Sequence, residues 1–318
     1  MEESAVAKAM ADKGILIMRD ITLEELLEAG CHFGHQVTRQ NPKAREFVFE
    51  ARDNIHIIDL VKTKEGLESA ASFVKTTAAK TGSTLVIVGT KRQVQTILAE
   101  EVKRAVNSGP SERSVFSVAT RWMGGTLTNF SEMAKNFKKL KDIEARLKND
   151  EEKERYTKKE IGQWEKEKQK LLNFYGGIAD MKQLPDAMFI IDTHLEHLAV
   201  REAARMRVPT VGIVDTNADP ALVDYAIPAN DDAVGSLKLL VSYIIDAWIE
   251  GKQEEASASA KAAADKEKEA ENKNGTEGVK EVAKPQSDKV AKVEKKEAKK
   301  EEVKETKTKR VTKKKEEK

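Results

Sequence analysis

AMFIIDTHLEHLAVREAARMRVPTVGIVD, Ala187 to Asp215, decides how this chain folds. AMFIID (187–192) and TVGIVD (210–215) are short, continuously apolar runs of the kind that form strands buried on both faces. Between them residues 195–206 carry a helical pattern. Strand, helix and strand joined by short links predict a parallel unit with a right-handed crossover. Upstream, TLVIVG (84–89) and SVFSVA (114–119) repeat the strand pattern, and helical patterns cover about 63–80, 91–107 and 233–250. The alternation predicts one α/β domain, a parallel sheet in three layers.

One segment breaks the alternation. Phe130, Met133, Phe137, Leu140 and Leu147 recur at helical spacing, and so do Ile161, Trp164, Leu171 and Tyr175 after the polar NDEEKERYTKKE. Residues 128–175 are therefore expected to form an antiparallel coiled-coil hairpin, inserted between the two parts of the sheet domain, 21–127 and 176–251. Gly124–Gly125 and Gly176–Gly177 flank it and suit sharp backbone bends. Its 13 basic and 10 acidic side chains fit a solvated or RNA-facing arm, with a hairpin packed on its own domain as the alternative.

Residues 252–318 contain no aromatic residue and no Leu, Ile or Met. Such a segment has too little apolar surface to offset the entropy of ordering it, so a disordered Lys/Glu/Ala-rich tail is predicted. The tail holds 21 basic and 16 acidic residues, a net +5, which leaves −3 for residues 1–251 out of the whole-chain +2. Residues 1–20 read as an N-terminal extension without the apolar core of a secretory signal. A single cysteine excludes an intramolecular disulfide, and no run is apolar enough to span a membrane. A cytosolic, soluble protein is expected.

Thr22 and Glu25 are spaced as a capping box and Gly30 stops that helix, which puts CHFGHQ (31–36) just past a helix end. His32 and His35, with His194 and His197, make two His-x-x-His pairs. Metal binding by them is weighed against hydrogen-bonding turn or RNA-contact histidines around a small buried Cys31, and the second reading is adopted: no metal and no cofactor. The sheet's strand ends read GTKR, ATRW, IDTH and VDTN, where such folds place their sites. Lys91 and Arg92 at a helix start suit an anion, but neither a P-loop nor a GxGxxG is present. Asp192 and Asp215 admit an acid–base reading, against which stands capping of the following turns.

The more informative stretch is VTRQNPKAREFVFEARDNIHIIDL (37–60). Arg39, Lys43, Arg45 and Arg52 alternate with Phe47, Val48, Phe49, Ile55, Ile57 and Ile58. Basic fingers on a ribbon pinned by apolar residues suit the phosphates of a folded RNA, with an ordinary solvated loop as the alternative.

EAGCHFGHQ, NPKAREFVFEARDNIHIIDL, VGTKRQ, RWMGGTLTNF, GGIADMKQLPDAMFIIDTHLEHLAVREAARMRVPTVGIVDTNADP and IPANDDAVGSLKLL together resemble the bacterial-type small-subunit ribosomal protein two family. The likeness runs from about residue 17 to 251, and the hairpin falls between RWMGG and GGI as in the bacterial type. It implies an α/β domain with a protruding arm, contacts to small-subunit rRNA and neighbouring ribosomal proteins, including the multi-OB-fold protein that captures mRNA, and no catalysis. A ribosomal, cytoplasmic location follows, with no membrane association. Gln40 stands where family members typically have tryptophan, and near Ala44 they typically carry an extra basic or bulky residue. With this resemblance, Arg39, Lys43, Arg45, Arg52, Lys91, Arg92, Arg113 and Arg121 are expected to neutralise phosphates. Trp122 is expected either to stack on a base or, with Arg121, to form a buried hinge. The competing class is an enzyme with a phosphosugar or nucleotide pocket built from Lys91, Arg92, Asp192 and Asp215.

Overall fold

The structure is a computed structural model that describes residues 19–108, 113–149 and 155–276, with side chains as far as residue 257. Contacts divide the chain into a unit ending at Lys261 and a second one from Ala262. In the first unit, α1 (Leu23–Glu28) leads to β1 (Phe33–Gln36), β2 (Val48–Arg52) and β3 (Ile55–Ile58), then α2 (Leu60–Ala78). The alternating part follows as β4 (Leu85–Val88), α3 (Arg92–Ser108) and β5 (Val115–Val118). After the inserted α4 (Phe130–Lys148) and α5 (Lys158–Tyr175) come β6 (Ala187–Ile190), α6 (His197–Met206), β7 (Thr210–Val214), β8 (Tyr225–Pro228) and α7 (Val234–Thr276).

The apolar runs become a parallel five-stranded sheet in the order β5-β4-β6-β7-β8. Because side chains alternate across a strand, Leu85, Ile87 and Phe189 enter one core with α2, α3 and α7, while Val86, Val88, Met188 and Ile190 enter the other with α6 and the hairpin root. Three layers result, as the strand patterns predict. From β4 the chain moves outward to β5, and from β6 it moves the opposite way to β7 and β8. The switch point therefore lies between β4 and β6, outside whose carboxyl ends folds of this kind place a crevice.

α4 and α5 pack side by side in opposite directions. Lys139 pairs with Glu167, Lys168 with Glu144 at 3.4 Å, and the Arg146 guanidinium lies 5.7 Å from the centre of the Trp164 ring. At their root Phe137 and Tyr175 are buried edge to face, in one core with Trp122, Ile178 and the sheet residues Val86 and Met188. The hairpin is thus anchored by its own aromatic base. Thr157 and Glu160 form a reciprocal capping box that starts α5. Of the flanking glycines only Gly125 occupies the left-handed region, at φ +91°. Gly177 serves a different purpose: the Ser117 N–H of β5 donates to its carbonyl, and a Cβ at Gly177 would lie 1.9 Å from the Ser117 carbonyl oxygen. Close approach, more than bending, requires glycine there.

Several expectations are corrected. The ribbon is a three-stranded antiparallel sheet, in the order β1-β3-β2, linked by two 3-10 turns. β8 went unrecognised because DYAIP is short, mixed in polarity and ends in Pro228, which an edge strand tolerates. α7 runs through the expected boundary at residue 252. Lys252 lies with its ammonium 5.6 Å from the Trp248 ring centre and bonds Glu255 at 2.7 Å, and the alanine-rich stretch that follows favours helix. The expected N-terminal extension through residue 18, and the tail from residue 277, lie outside the described residues.

Gly177→Ala is expected to lower unfolding stability by about 1–3 kcal/mol, since the Ser117 carbonyl is backbone and has to shift. Denaturant unfolding of the full chain measures this, and an unchanged midpoint would remove the packing requirement.

Candidate nucleic-acid interface and the crevice beside it

Lys91 follows β4 and Asp192 follows β6, so the two meet across the switch point. The Lys91 Nζ lies 2.8 Å from Asp192 Oδ2, 2.8 Å from Asp231 Oδ1 and 2.7 Å from Asp232 Oδ1. Asp192 also accepts the Leu195 N–H at 2.7 Å, which makes one carboxylate both the cap of the turn into α6 and a partner of the ammonium. From the end of β7, Asp215 accepts the Thr216 N–H and meets His35 Nδ1 at 3.0 Å, while His35 Nε2 faces Asp232 at 3.7 Å. Four carboxylates surround one ammonium and one imidazole. Asp215 and Asp231 are each only 1% exposed.

Burial pulls the Lys91 ammonium toward its neutral form, but the surrounding carboxylates outweigh that and its pKa ends raised. Burial, then the charges of Asp192 and Asp215, push Asp231 up to about 7 against the pull of Lys91. His35 is raised, chiefly by its hydrogen bond to Asp215. Donor atoms of His35, Asp215 and Asp231 lie within 4.8 Å of one another, a mixed imidazole and carboxylate set that suits a divalent cation. His194 and His197 are exposed and join no such group among the described residues. As a phosphate pocket the crevice fails on charge, because Lys91 is engaged by three carboxylates and an incoming phosphate meets more carboxylate than cation.

The ribbon is fastened to this edge by backbone. Thr216 accepts the Asn41 N–H at 2.8 Å through its carbonyl and the His35 N–H at 2.9 Å through its hydroxyl. A Cβ at Gly34 would lie 2.7 Å from Thr216 Cγ2, so glycine allows that approach. Asn230, just past β8, donates to the Cys31 and Gly30 carbonyls at 3.0 and 3.1 Å. CHFGHQ is accordingly a turn and a short strand held against two strand ends, with Cys31 buried and its thiol pKa raised by that burial.

Ala44 and Ile58 are buried, and Phe47, Val48 and Ile57 are half-buried, so these residues pin the ribbon. Phe49 does not. The register passes from Val48 opposite Ile58 to Glu50 opposite Ile57, which leaves Phe49 in a bulge and 72% exposed. Asp53 and Asn54, both at positive φ, make the tight turn from β2 to β3. Arg39, Arg45 and Arg52 are exposed and form no ion pair among the described residues. Lys43 instead holds Asp219 at 2.6 Å, tying the ribbon to the 3-10 turn at Pro220–Leu222.

The remaining predicted contacts divide. Arg92 and Arg121 are exposed. Arg113 donates to the carbonyls of Val115 and Gly177, each at 3.2 Å, and lies over the Phe116 ring, so it braces the hairpin root. Trp122 is 5% exposed, in the core beneath the hairpin, whereas Arg121, expected to share a buried hinge with it, is exposed. Sequence reasoning missed Asp231 and Asp232, although NDD directly after an apolar IPA segment is a strand-end signal like the others.

A family model described as Ribosomal protein S2 matches residues 26–251. The chain belongs to the ribosomal protein S2 family. It is accordingly a structural protein of the small ribosomal subunit and not an enzyme. In this S2-family chain the crevice that serves catalysis in other α/β sheets is a joint between sheet and ribbon. Among the described residues no helix is long and apolar enough to cross a membrane.

The joint sets a pH dependence. Asp231 keeps a proton to about pH 7 when folded and loses it near its ordinary 3.8 when unfolded, so stability falls as pH rises between these values. His35 has the same sign: its contribution is complete below its ordinary 6.5 and is lost as pH rises through its higher folded value. Chelator-treated protein is therefore expected to melt at a lower temperature at pH about 8 than at about 5, and His35→Gln to reduce the difference. A melting temperature that rises over this range would contradict the assignment.

Proposed function

We propose that this S2-family chain takes its place in the small subunit by binding rRNA through the ribbon, with Arg39, Arg45 and Arg52 holding the phosphates. The observation that carries the reading is their state: three exposed guanidiniums on a backbone-pinned ribbon, without ion pairs among the described residues. Rigid placement lowers the entropy lost on binding, and guanidinium suits phosphate by its fork of donors. Arg92 and Arg121 add contacts of the same kind, and Lys43 and Lys91 hold the scaffold that presents them. Phe49, aimed outward by its bulge, offers an apolar anchor to a neighbouring ribosomal protein, for which the multi-OB-fold protein that captures mRNA is the partner the family resemblance implies. The paired helices act as a coiled-coil arm reaching beyond the sheet, and the basic residues near the C-terminus make salt-sensitive contacts with rRNA. The location is the cytoplasmic ribosome.

Wild-type protein is expected to pellet with small subunits and to be released by high salt. Changing Arg39, Arg45 and Arg52 together to Ala should leave the melting temperature unchanged while lowering the slope of log K against log salt by about 0.7–0.9 for each phosphate no longer neutralised. Equal slopes would show that the ribbon does not touch RNA.

A further inference from the structure

The hairpin side of the sheet carries a second basic feature, in the layer of α6. Leu198, Arg201, Glu202 and Arg205 line one stripe of that helix and, with Gly124, Gly125 and Thr128, enclose an open notch of about 280 Å³. Spacing by three and four residues puts the two arginines a turn apart on one face. Both side chains are exposed, and neither guanidinium forms an ion pair or hydrogen bond with a described residue.

Glu202 is the obvious partner for them, yet its carboxylate is committed elsewhere. Its Oε1 accepts the Gly125 N–H at 2.6 Å, and its Oε2 accepts the N–H groups of Leu127 at 3.0 Å and Thr128 at 3.3 Å and the Thr128 hydroxyl at 3.4 Å. The side chain is buried and satisfied by four donors of the hairpin-root loop. Two consequences follow. The loop is held rigidly against α6, so the notch has a fixed wall, and the arginines keep their charge outward. The wall is also close, since a Cβ at Gly124 would lie 3.4 Å from Leu198 Cδ2.

We infer that this notch is a second rRNA contact, in which Arg201 and Arg205 hold backbone phosphates of an RNA helix lying along α6 and the hairpin root. The inference rests on the rRNA-binding reading above and adds a separate footing to it. Guanidinium forks match phosphate oxygens in pairs, and two unpaired arginines a turn apart reach neighbouring phosphates along a backbone. No aromatic side chain lines the notch to stack a base, so the contact positions the RNA and does not read its sequence. Two footings, the ribbon at the carboxyl edge of the sheet and the notch on a helix layer, would fix orientation as well as attachment.

The test uses the full chain and purified small-subunit rRNA. Changing Arg201 and Arg205 together to Gln should lower the salt slope by about 1.4–1.8, and the corresponding double Lys variant, which keeps the charges, should restore it. An unchanged slope in the Gln variant, with the ribbon variant still lowered, overturns the notch and leaves the ribbon reading intact. Failure of wild-type protein to bind rRNA overturns both. A proximity measurement does not depend on how those variants fold: Cys31 is buried and is the chain's only cysteine, so Leu198→Cys gives a single exposed thiol for an iron-chelate cleavage probe. Strand scission of rRNA in assembled subunits supports the contact. Its absence, or protection of the introduced thiol only by added ribosomal proteins, overturns it in favour of a protein partner.

Discussion

One ammonium holds the architecture together where a doubly wound sheet is weakest. At a switch point two adjacent strands send their connections in opposite directions, so nothing in the backbone closes the gap beyond their ends. Lys91 closes it with side-chain charge, joining the end of β4 to Asp192 after β6 and to Asp231 and Asp232 after β8. The arrangement is mutually dependent. Taking away the cation would leave buried carboxylates facing each other, a loss of about 3–5 kcal/mol for broken buried pairs in general. Asp215 and His35 extend the network to β1, so the ribbon's position depends on a cluster whose carboxylates meet Lys91 and His35 only when every strand end is in place.

The same economy appears at the hairpin. An insertion of this size into a sheet domain needs a base that does not swing. Phe137 and Tyr175 bury that base against the sheet, and Glu202 collects the loop's free N–H groups that no secondary structure satisfies. Gly177 lets β5 and the returning chain approach closely. Rigidity at the root is local, built from packing and hydrogen bonds that lie far apart in sequence.

That separation explains what was legible in the sequence. Four of the five strands of the parallel sheet and their helices were readable because each is a continuous apolar or periodic run, and burial leaves a composition signal. The capping at Asp192 and the buried Cys31 were readable for the same local reasons. β1, β2 and β3 were not seen as a sheet because their pairings are short, irregular and mostly exposed, so neither alternation nor propensity marks them. Phe49 misled because an apolar residue among arginines reads as a pin, and only the register shift turns it outward. The role of Lys91 was misread for a deeper reason: a lysine at a helix start has the same local sequence whether it awaits a phosphate or is already held by aspartates from residues 192, 231 and 232. Pairing across a fold is not a local property.

Net charge misleads in the same way, and its distribution resolves an apparent conflict. Residues 1–251 carry a net −3, which argues against binding a polyanion if charge is counted as a sum. The fold sorts the charges instead. Asp192, Asp215, Asp231 and Glu202 are turned inward, onto an ammonium, an imidazole or backbone donors, while Arg39, Arg45, Arg52, Arg201 and Arg205 stay outward and unpaired. Salt screens charges over about 8–10 Å, so an RNA backbone at the surface responds to the arginines within reach more than to carboxylates neutralised in the interior. Four of the chain's carboxylates thereby hold its outward arginines in position, while Glu46, Glu50 and Asp53 stay exposed beside the ribbon's arginines and temper their charge.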